Sequence, residues 1–157
     1  MSLEAELGFE KPIQLLAHKA LMSTYHTAAC LRKRASEFLA PFGVTDVQFN
    51  LMMVLKHQGG PEGGLKQSSI SRMMLVNRAN ITSLIDRMEK AGLVVRTSIA
   101  GDRRCNLVQL TEHGLALLDQ IEPLYACEVE RIMAVVDQST QHQLIDMLDR
   151  IRARARG

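Results

Sequence analysis

The sequence predicts a mainly α fold with one small β-hairpin. Aromatic residues make up only 4% of the 157-residue chain and Trp is absent, so the core must consist mostly of Leu, Ile, Val, Met and Ala, a composition that favours helices. Apolar residues recur every three or four positions along most of the chain, which is the helical period. The exception is the segment 93–110, where Val, Thr and Ile are frequent. The length fits one compact domain.

Two helices and a loop are expected first. Pro12 suits the first position of a helix that continues to about Ala40, just before a Pro and a Gly. Thr45 or Asp46 can cap a second helix, and the breaker-rich segment 57–64 must then be a loop. The expected apolar positions are Ile13, Leu16, Ala17, Ala20, Leu21, Thr24 and Ala28, then Val47, Leu51, Val54 and Leu55.

A helix-turn-helix is expected next. Ser68 or Ser69 can open a short helix, Asn77 can cap the following one, and Gly92 stands where that second helix should end. The inward positions are Ile70, Met73 and Met74, then Ile81, Leu84, Ile85 and Met88, the last four at i, i+3, i+4 and i+7.

A hairpin and two further helices complete the chain. Strands are expected over 93–99 and 106–110, with Ala100-Gly101-Asp102 between them. Thr111 can cap a long helix that Pro123 can bend, and Ser139 or Thr140 can start the last helix. The apolar positions are Leu115, Leu118, Ile121, Leu124, Ile132 and Val135, then Leu144, Met147, Leu148 and Ile151.

The net charge of +2 conceals three electrostatic regions. Residues 66–110 contain eight basic and three acidic side chains, a balance of +5. Residues 111–149 contain one basic and eight acidic side chains, and four arginines follow in the tail. Such asymmetry is expected where one part of a protein meets a polyanion. A chance excess of basic residues on a solvated face would give the same count.

The chain is expected to be cytoplasmic and reduced. Its longest apolar runs fall far short of the ~18 residues that cross a bilayer. The N-terminus is acidic where a secretory signal would be basic. Cys30, Cys105 and Cys127 are an odd number without close spacing, so no disulfide framework is predicted.

The helix expected over 77–90 carries the chemistry of base recognition. Asn80, Ser83 and Arg87 lie opposite its apolar stripe, and Thr82 lies on the adjoining flank. Asn can pair with adenine, Arg with guanine, and Ser or Thr with phosphates or bases. Any solvated surface helix can show the same residue types. The candidate DNA-binding residues of the two helices are Ser68, Asn77, Arg78, Asn80, Thr82, Ser83 and Arg87.

The hairpin strengthens the case for DNA. Its expected turn, the wing 99–105, carries Arg103 and Arg104, which could reach a minor groove or the backbone. Asp102 could orient the second guanidinium. A helix-turn-helix followed by a basic-tipped hairpin is a winged helix, so the sequence predicts a winged helix-turn-helix with helices on both sides of it.

These residues resemble a known family. The run Arg78-Ala79-Asn80-Ile81-Thr82-Ser83-Leu84-Ile85-Asp86-Arg87-Met88-Glu89-Lys90-Ala91-Gly92-Leu93-Val94, then Gly101-Asp102-Arg103-Arg104 and Leu110-Thr111-Glu112-His113-Gly114, is similar to the MarR family of bacterial transcription regulators. The resemblance covers nearly the whole chain. It departs from the family pattern at Lys66, where many members have a Thr cap, and at Leu75, where a Gly commonly makes the turn between helices.

The resemblance implies a cytoplasmic homodimer that binds double-stranded DNA. Residues 1–44 and 111–157 would supply the dimerisation helices, and residues 45–110 the winged helix-turn-helix that binds half of a palindromic operator as a repressor. Thr82, Ser83 and Arg87 would read the major groove, with the wing arginines beside it. Apolar stripes on the first and last helices favour a dimer independently, although those helices could also fold back on their own subunit.

A ligand-responsive regulator of this kind would bind a small amphipathic acid or phenolic effector between its dimer helices and its winged module. The candidate pocket residues are Tyr25, His26, Phe49, Met52 and Met53. The two methionines suit an adaptable pocket, but Met at helical spacing is more often part of a core.

Two alternatives remain at the level of sequence. Cys30 lies near His26 and a basic run, surroundings that could lower a thiol pKa and make the protein a redox-sensing regulator, although a packed Cys is commoner. A winged helix used only for protein interaction is the second. Catalysis is not expected, because no nucleophile has a complete set of partners. No cofactor is expected either, and no metal site, because the histidines lack ligand spacing.

Overall fold

The computed structural model describes residues 2–60, 63–74, 78–99 and 102–157. The chain is mainly helical, with one small sheet, which confirms the predicted fold class. The elements are α1 (Leu3–Glu6), α2 (Leu16–Leu39), a 3₁₀ turn (Ala40–Phe42), α3 (Asp46–Gln58), β1 (Gly64–Lys66), α4 (Gln67–Met73), α5 (Arg78–Lys90), β2 (Val94–Ile99), β3 (Asp102–Leu110), α6 (Glu112–Met133) and α7 (Gln138–Arg156).

The N-terminal prediction was wrong in one respect. The long helix begins at Leu16 and not at Pro12, and a short helix, α1, precedes it. The segment before α2 folds back on that helix, where Glu4 Oε1 lies 2.7 Å from Lys19 Nζ and also accepts from the Ile13 amide. Within the described part of the chain, Glu4 is the one charged residue that is buried.

Local capping signals place α3 and α4. Thr45 and Gln48 form a capping box at the start of α3, because each side chain bonds the other residue's backbone N–H. The buried residues of α3 are Phe49, Leu51, Met52 and Leu55. Val47, expected inward, is exposed instead, and so is Met73 of α4. The short helix α4 begins at Gln67, earlier than either predicted serine, and has no side-chain cap.

The sheet has three antiparallel strands in the order β1-β3-β2. β1 pairs Leu65 with Val108, and β2 pairs Arg96 with that same residue from the other side. The expected loop 57–64 thus ends in a strand, at Gly64, that sequence reasoning missed. β3 begins at Asp102, four residues earlier than expected, and the β2–β3 register shifts between Ser98 and Ile99.

The chain divides into two compact units, Met1–Leu118 and Asp119–Gly157. The core of the first is apolar, and α5 contributes its predicted stripe to it, which confirms that prediction. The buried side chains of the first unit include Leu39, Phe49, Leu51, Met52, Leu55, Ile70, Ile81, Leu84, Ile85, Met88, Val94, Val108 and Leu118.

A compact junction joins the end of α5 to the start of α6. Gly92 takes φ +70°, which glycine adopts at low cost, and ends α5 as predicted. The Thr111 hydroxyl accepts from the Gly114 amide at 2.9 Å, so Thr111 caps α6 as expected. The same hydroxyl donates to the Gly92 carbonyl at 2.5 Å.

Several stripes that were expected inward are exposed. Leu16 of α2 is 78% exposed, and Leu21 of the same helix is also exposed. In the second unit, Leu124, Val135, Leu144, Met147 and Ile151 are exposed. Pro123 lies inside α6, and α7 begins at Gln138 with Asp137 as its N-cap, slightly before the predicted start. Within the described ranges, no single helix is long and apolar enough to cross a membrane.

Candidate nucleic-acid interface

Helix α5 presents a polar face to solvent. Its buried stripe anchors one side in the core, so Asn80, Thr82, Ser83 and Arg87 are exposed on the remaining surface. The Arg87 side chain is directed along the helix, because its Nε donates to the Ser83 carbonyl at 3.2 Å. Amide, hydroxyl and guanidinium groups therefore occupy one continuous face of one helix, which is the chemistry of base and phosphate recognition.

A groove of about 470 Å³ borders this face. Asn80, Leu84 and Arg87 line one wall, and the start of α3, residues 45–48, lines the other. The groove belongs to the surface that the sequence predicts to meet DNA.

The opposite flank of α5 is held by a side chain from the sheet. Arg96 of β2 lies 2.5 Å from both carboxylates that α5 carries, through Nη2 to Asp86 and through Nη1 to Glu89. Its backbone N–H donates to Glu89 as well, at 3.0 Å. Burial acts to lower the pKa of Arg96, but the hydrogen bonds and charges of the two acids outweigh it and raise that pKa. The guanidinium thus offsets the acidic charge of α5.

The first helix of the helix-turn-helix is tied to the second through Thr82. Gln67 Nε2 donates to the Thr82 hydroxyl oxygen at 2.5 Å. Ser68, the predicted contact in α4, is exposed beside it in the first helical turn. Sequence reasoning missed both Gln67 and Arg96. Thr82 is 15 residues from Gln67, Asp86 and Glu89 are 10 and 7 residues from Arg96, and no local periodicity links these pairs.

The wing is only partly described. Asp102, Arg103 and Arg104 belong to β3 by their backbone, whereas their side chains lie outside the described part, as does that of Arg78. Asn77 lies entirely outside the described residues. The backbone of β3 continues directly from the two wing arginines into the sheet that Arg96 joins to α5.

The candidate effector residues differ in exposure. Tyr25 is exposed and His26 is half-buried on α2, but Phe49 and Met52 are fully buried core residues. Met53 lines a separate groove of about 340 Å³ between α3 and α4, with Val47, Asn50, Val54, Met73 and Met74.

The candidate thiol has a polar neighbour. Cys30 is exposed, and its Sγ lies 3.8 Å from His26 Nε2. That same nitrogen lies 3.1 Å from Glu6 Oε2. Among the described residues, no group of three His, Cys, Asp or Glu side chains could hold a metal ion.

Comparison with known proteins gives a consistent result. Residues 42–104 match a sequence model described as the MarR family. The regulator MhqR of Bacillus subtilis is 29% identical over 114 residues, which cover 73% of this chain and 76% of MhqR. AbsC, a MarR family transcriptional regulator from Streptomyces coelicolor, is 23% identical and has a similar fold, with a TM-score of 0.80 over 94% of this chain and 99% of AbsC.

A third similar protein has been solved with DNA. The repressor CouR bound to a 23-mer DNA duplex is 25% identical, with a TM-score of 0.75 over 95% of this chain and 96% of CouR. CouR from Rhodococcus jostii has also been solved with p-coumaroyl-CoA, in a structure with a TM-score of 0.76 and 24% identity over 88% of this chain and 95% of CouR.

Proposed function

Because the chain belongs to the MarR family of DNA-binding winged helix-turn-helix transcription regulators, which are not enzymes, we propose that it is a ligand-responsive repressor that binds a palindromic operator as a homodimer. One observation carries the DNA-binding mode: a single helix, α5, buries its apolar stripe completely and exposes amide, hydroxyl and guanidinium groups on the other side. In this proposal residues 77–90 enter the major groove, and the wing 99–105 contacts the adjacent minor groove or backbone. The site of action is the cytoplasm, where the operator lies.

The DNA-binding mode can be tested on the DNA upstream of the protein's own gene. Footprinting there is expected to show a protected palindrome. Arg87→Ala should weaken operator binding by about tenfold or more, the cost of losing one good bidentate base contact. Lys33→Ala, which removes an exposed basic side chain of α2, is the matched control and should bind as the wild type does.

Salt dependence separates DNA binding from the alternative of a protein-interaction module. The logarithm of the operator association constant should fall steeply and linearly with the logarithm of salt concentration, because phosphate contacts release counterions. A chain that gives no footprint and no salt-dependent retention of DNA would instead support the protein-interaction alternative.

The homodimer is proposed from exposed apolar surface. α2 exposes Leu16, Leu21 and Leu31, and α7 exposes Leu144, Ile145, Met147 and Ile151. Apolar stripes of this kind are normally covered by a partner. A two-fold dimer would cover them and set two α5 helices about 34 Å apart, one turn of DNA. Light scattering should therefore give twice the chain mass, and a monomer at micromolar concentration would refute the dimer.

We propose a small amphipathic acid or phenolic effector, supported by the p-coumaroyl-CoA complex of CouR. Tyr25 and His26 are accessible to solvent and could contact an effector directly. Phe49 and Met52 are buried, so they would support the pocket residues without contacting the effector. Titration with p-coumarate and with its CoA thioester should release the operator DNA. Tyr25→Ala should raise the concentration needed, while Tyr125→Ala on α6 serves as the control.

A second candidate switch is oxidation of Cys30, which the exposed thiol and its contact with His26 favour. In this alternative, peroxide would abolish operator binding by the wild type and leave Cys30→Ser unaffected. The exposed Cys127 of α6, changed to Ser, is the matched control. Equal sensitivity of wild type and Cys30→Ser would reject thiol sensing.

A further inference from the structure

We propose that Arg96 is a positioning residue for operator recognition, which joins the wing and helix α5 into one DNA-reading unit without touching DNA itself. This inference rests on the proposed operator binding. Its basis is the three-residue cluster in which a single guanidinium of β2 bridges the two carboxylates of α5, defined here as the Asp86–Glu89–Arg96 brace.

In the brace, Arg96 donates its hydrogen bonds to Asp86 and Glu89. Both terminal nitrogens face carboxylate oxygens at 2.5 Å, and the backbone N–H of Arg96 adds a third bond to Glu89. The Arg96 side chain is only 23% exposed. Two carboxylates neutralise the positive charge of this guanidinium, so Arg96 is poorly placed to bind a phosphate.

The location of the brace determines what it can control. Asp86 and Glu89 are three residues apart on α5, on the flank beside the polar face. Arg96 pairs with Val108 of β3, the strand whose first residues are Asp102, Arg103 and Arg104. The brace therefore connects the helix that would read the major groove with the strand that carries the wing arginines.

The brace also sets the orientation of α5 relative to β2, the strand that follows it in the chain. A turn at residues 91–93 already fixes the end of α5 close to the start of β2. The apolar stripe of α5 also packs into the core. Arg96 adds a polar attachment between β2 and the flank of α5, and it reaches back to Asp86, about one turn before Glu89. This attachment resists tilting of α5 relative to the sheet, and a shift of about 1 Å is enough to spoil bidentate base contacts.

The experiment compares two variants that break the brace with opposite effects on charge. Arg96→Gln removes a positive charge, and the double variant Asp86→Asn/Glu89→Gln removes two negative charges. Operator and scrambled duplexes are titrated by fluorescence anisotropy at several salt concentrations, and the ratio of the two dissociation constants measures selectivity. Lys33→Gln on α2 is the control for loss of one positive charge.

Both variants are expected to lose about tenfold in selectivity, within the range of coupling energies for residues in one ion-pair network. The double variant should bind scrambled DNA more tightly because it is less acidic, yet still lose selectivity. For Arg96→Gln the salt slope should stay unchanged, whereas loss of a phosphate contact would reduce it by about one.

Different outcomes would refute the positioning role of Arg96 and the proposed function. Selectivity that is unchanged or improved in the double variant would show that charge alone matters and would overturn the positioning role. A salt slope reduced by one in Arg96→Gln would make Arg96 a direct phosphate contact, which also overturns it. Urea unfolding shows whether each variant is folded. If Arg96→Gln does not fold, the double variant still tests the brace. Wild-type protein that fails to select its operator would refute the proposed function as well, whereas selective variants would refute only the brace.

Discussion

Thr111 joins the candidate DNA-binding helix to α6 through one hydroxyl group. That hydroxyl accepts a hydrogen bond from the Gly114 amide at 2.9 Å and donates one to the Gly92 carbonyl at 2.5 Å. The backbone amide of Thr111 donates to Leu93 at 3.1 Å. Replacing Thr111 with Val keeps the shape of the side chain and removes only the two hydroxyl bonds, so this substitution measures what the hydroxyl contributes.

The two lost bonds should cost about 2 kcal/mol of unfolding free energy. Loss of a Thr N-cap typically costs about 1 kcal/mol. The Gly92 carbonyl loses the hydrogen bond from the Thr111 hydroxyl, which adds about 1 kcal/mol. For a chain of this size, a loss of about 2 kcal/mol lowers Tm by about 4–8 °C.

Urea unfolding followed by circular dichroism, at one fixed protein concentration because dimers are stabilised by mass action, measures the change. Thr111→Ser retains the hydroxyl and is the matched control, which should stay within about 0.5 kcal/mol of the wild type. If Thr111→Val unfolds at the same urea concentration as Thr111→Ser, the hydroxyl contributes nothing and the reasoning is refuted.

Three further predictions address other parts of the first unit. Gly114→Ala should lower the unfolding free energy by about 1–3 kcal/mol, because its Cβ would overlap the Leu93 carbonyl, whereas Gly60→Ala, with open space around it, should not. The hydrogen bond from Lys19 is the main cause that lowers the pKa of Glu4 from 4.5 to about 2. The ionised Glu4 carboxylate therefore stabilises the N-terminal segment fully above about pH 5, and this stabilisation is lost as pH falls towards 2. An NMR titration of the Glu4 carboxyl checks this, and a midpoint near 4.5 in the wild type would contradict it, while Lys19→Met should shift the midpoint upwards. Gln67→Leu should weaken operator binding several-fold without changing the salt slope, because it removes the hydrogen bond that Gln67 donates to the Thr82 hydroxyl. Unchanged affinity would show that Gln67 does not position Thr82.

The elements with strong local signals were predictable from sequence. The stripe of α5 follows the helical period, and Gly92 ends that helix by a conformation that glycine favours. Thr45 and Thr111 cap α3 and α6 because their hydroxyls reach amides three residues ahead. In each case the interacting groups lie within a few residues of each other, so the pattern itself contains the geometry.

The errors occur where distant contacts decide. Pro12 is acceptable at a helix start, but the segment around it instead turns back so that Glu4 can pair with Lys19. β1 has three residues, too few to show a period, and exists because β3 offers it a free edge. The stripes of α2 and α7 were correctly apolar, yet the single chain leaves them exposed, because periodicity marks a face and does not say which surface covers it.

The candidate site shows the same difference between local signals and contacts between distant residues. Sequence by itself determined which side chains face outward from α5 and that a basic hairpin follows, since both depend on the order of neighbouring residues. Only the tertiary structure decided that Gln67 holds Thr82 and that Arg96 bridges Asp86 and Glu89. The physical reason is that these bonds form between elements whose separation is set by packing of the core, and neither helical nor strand periodicity encodes that distance.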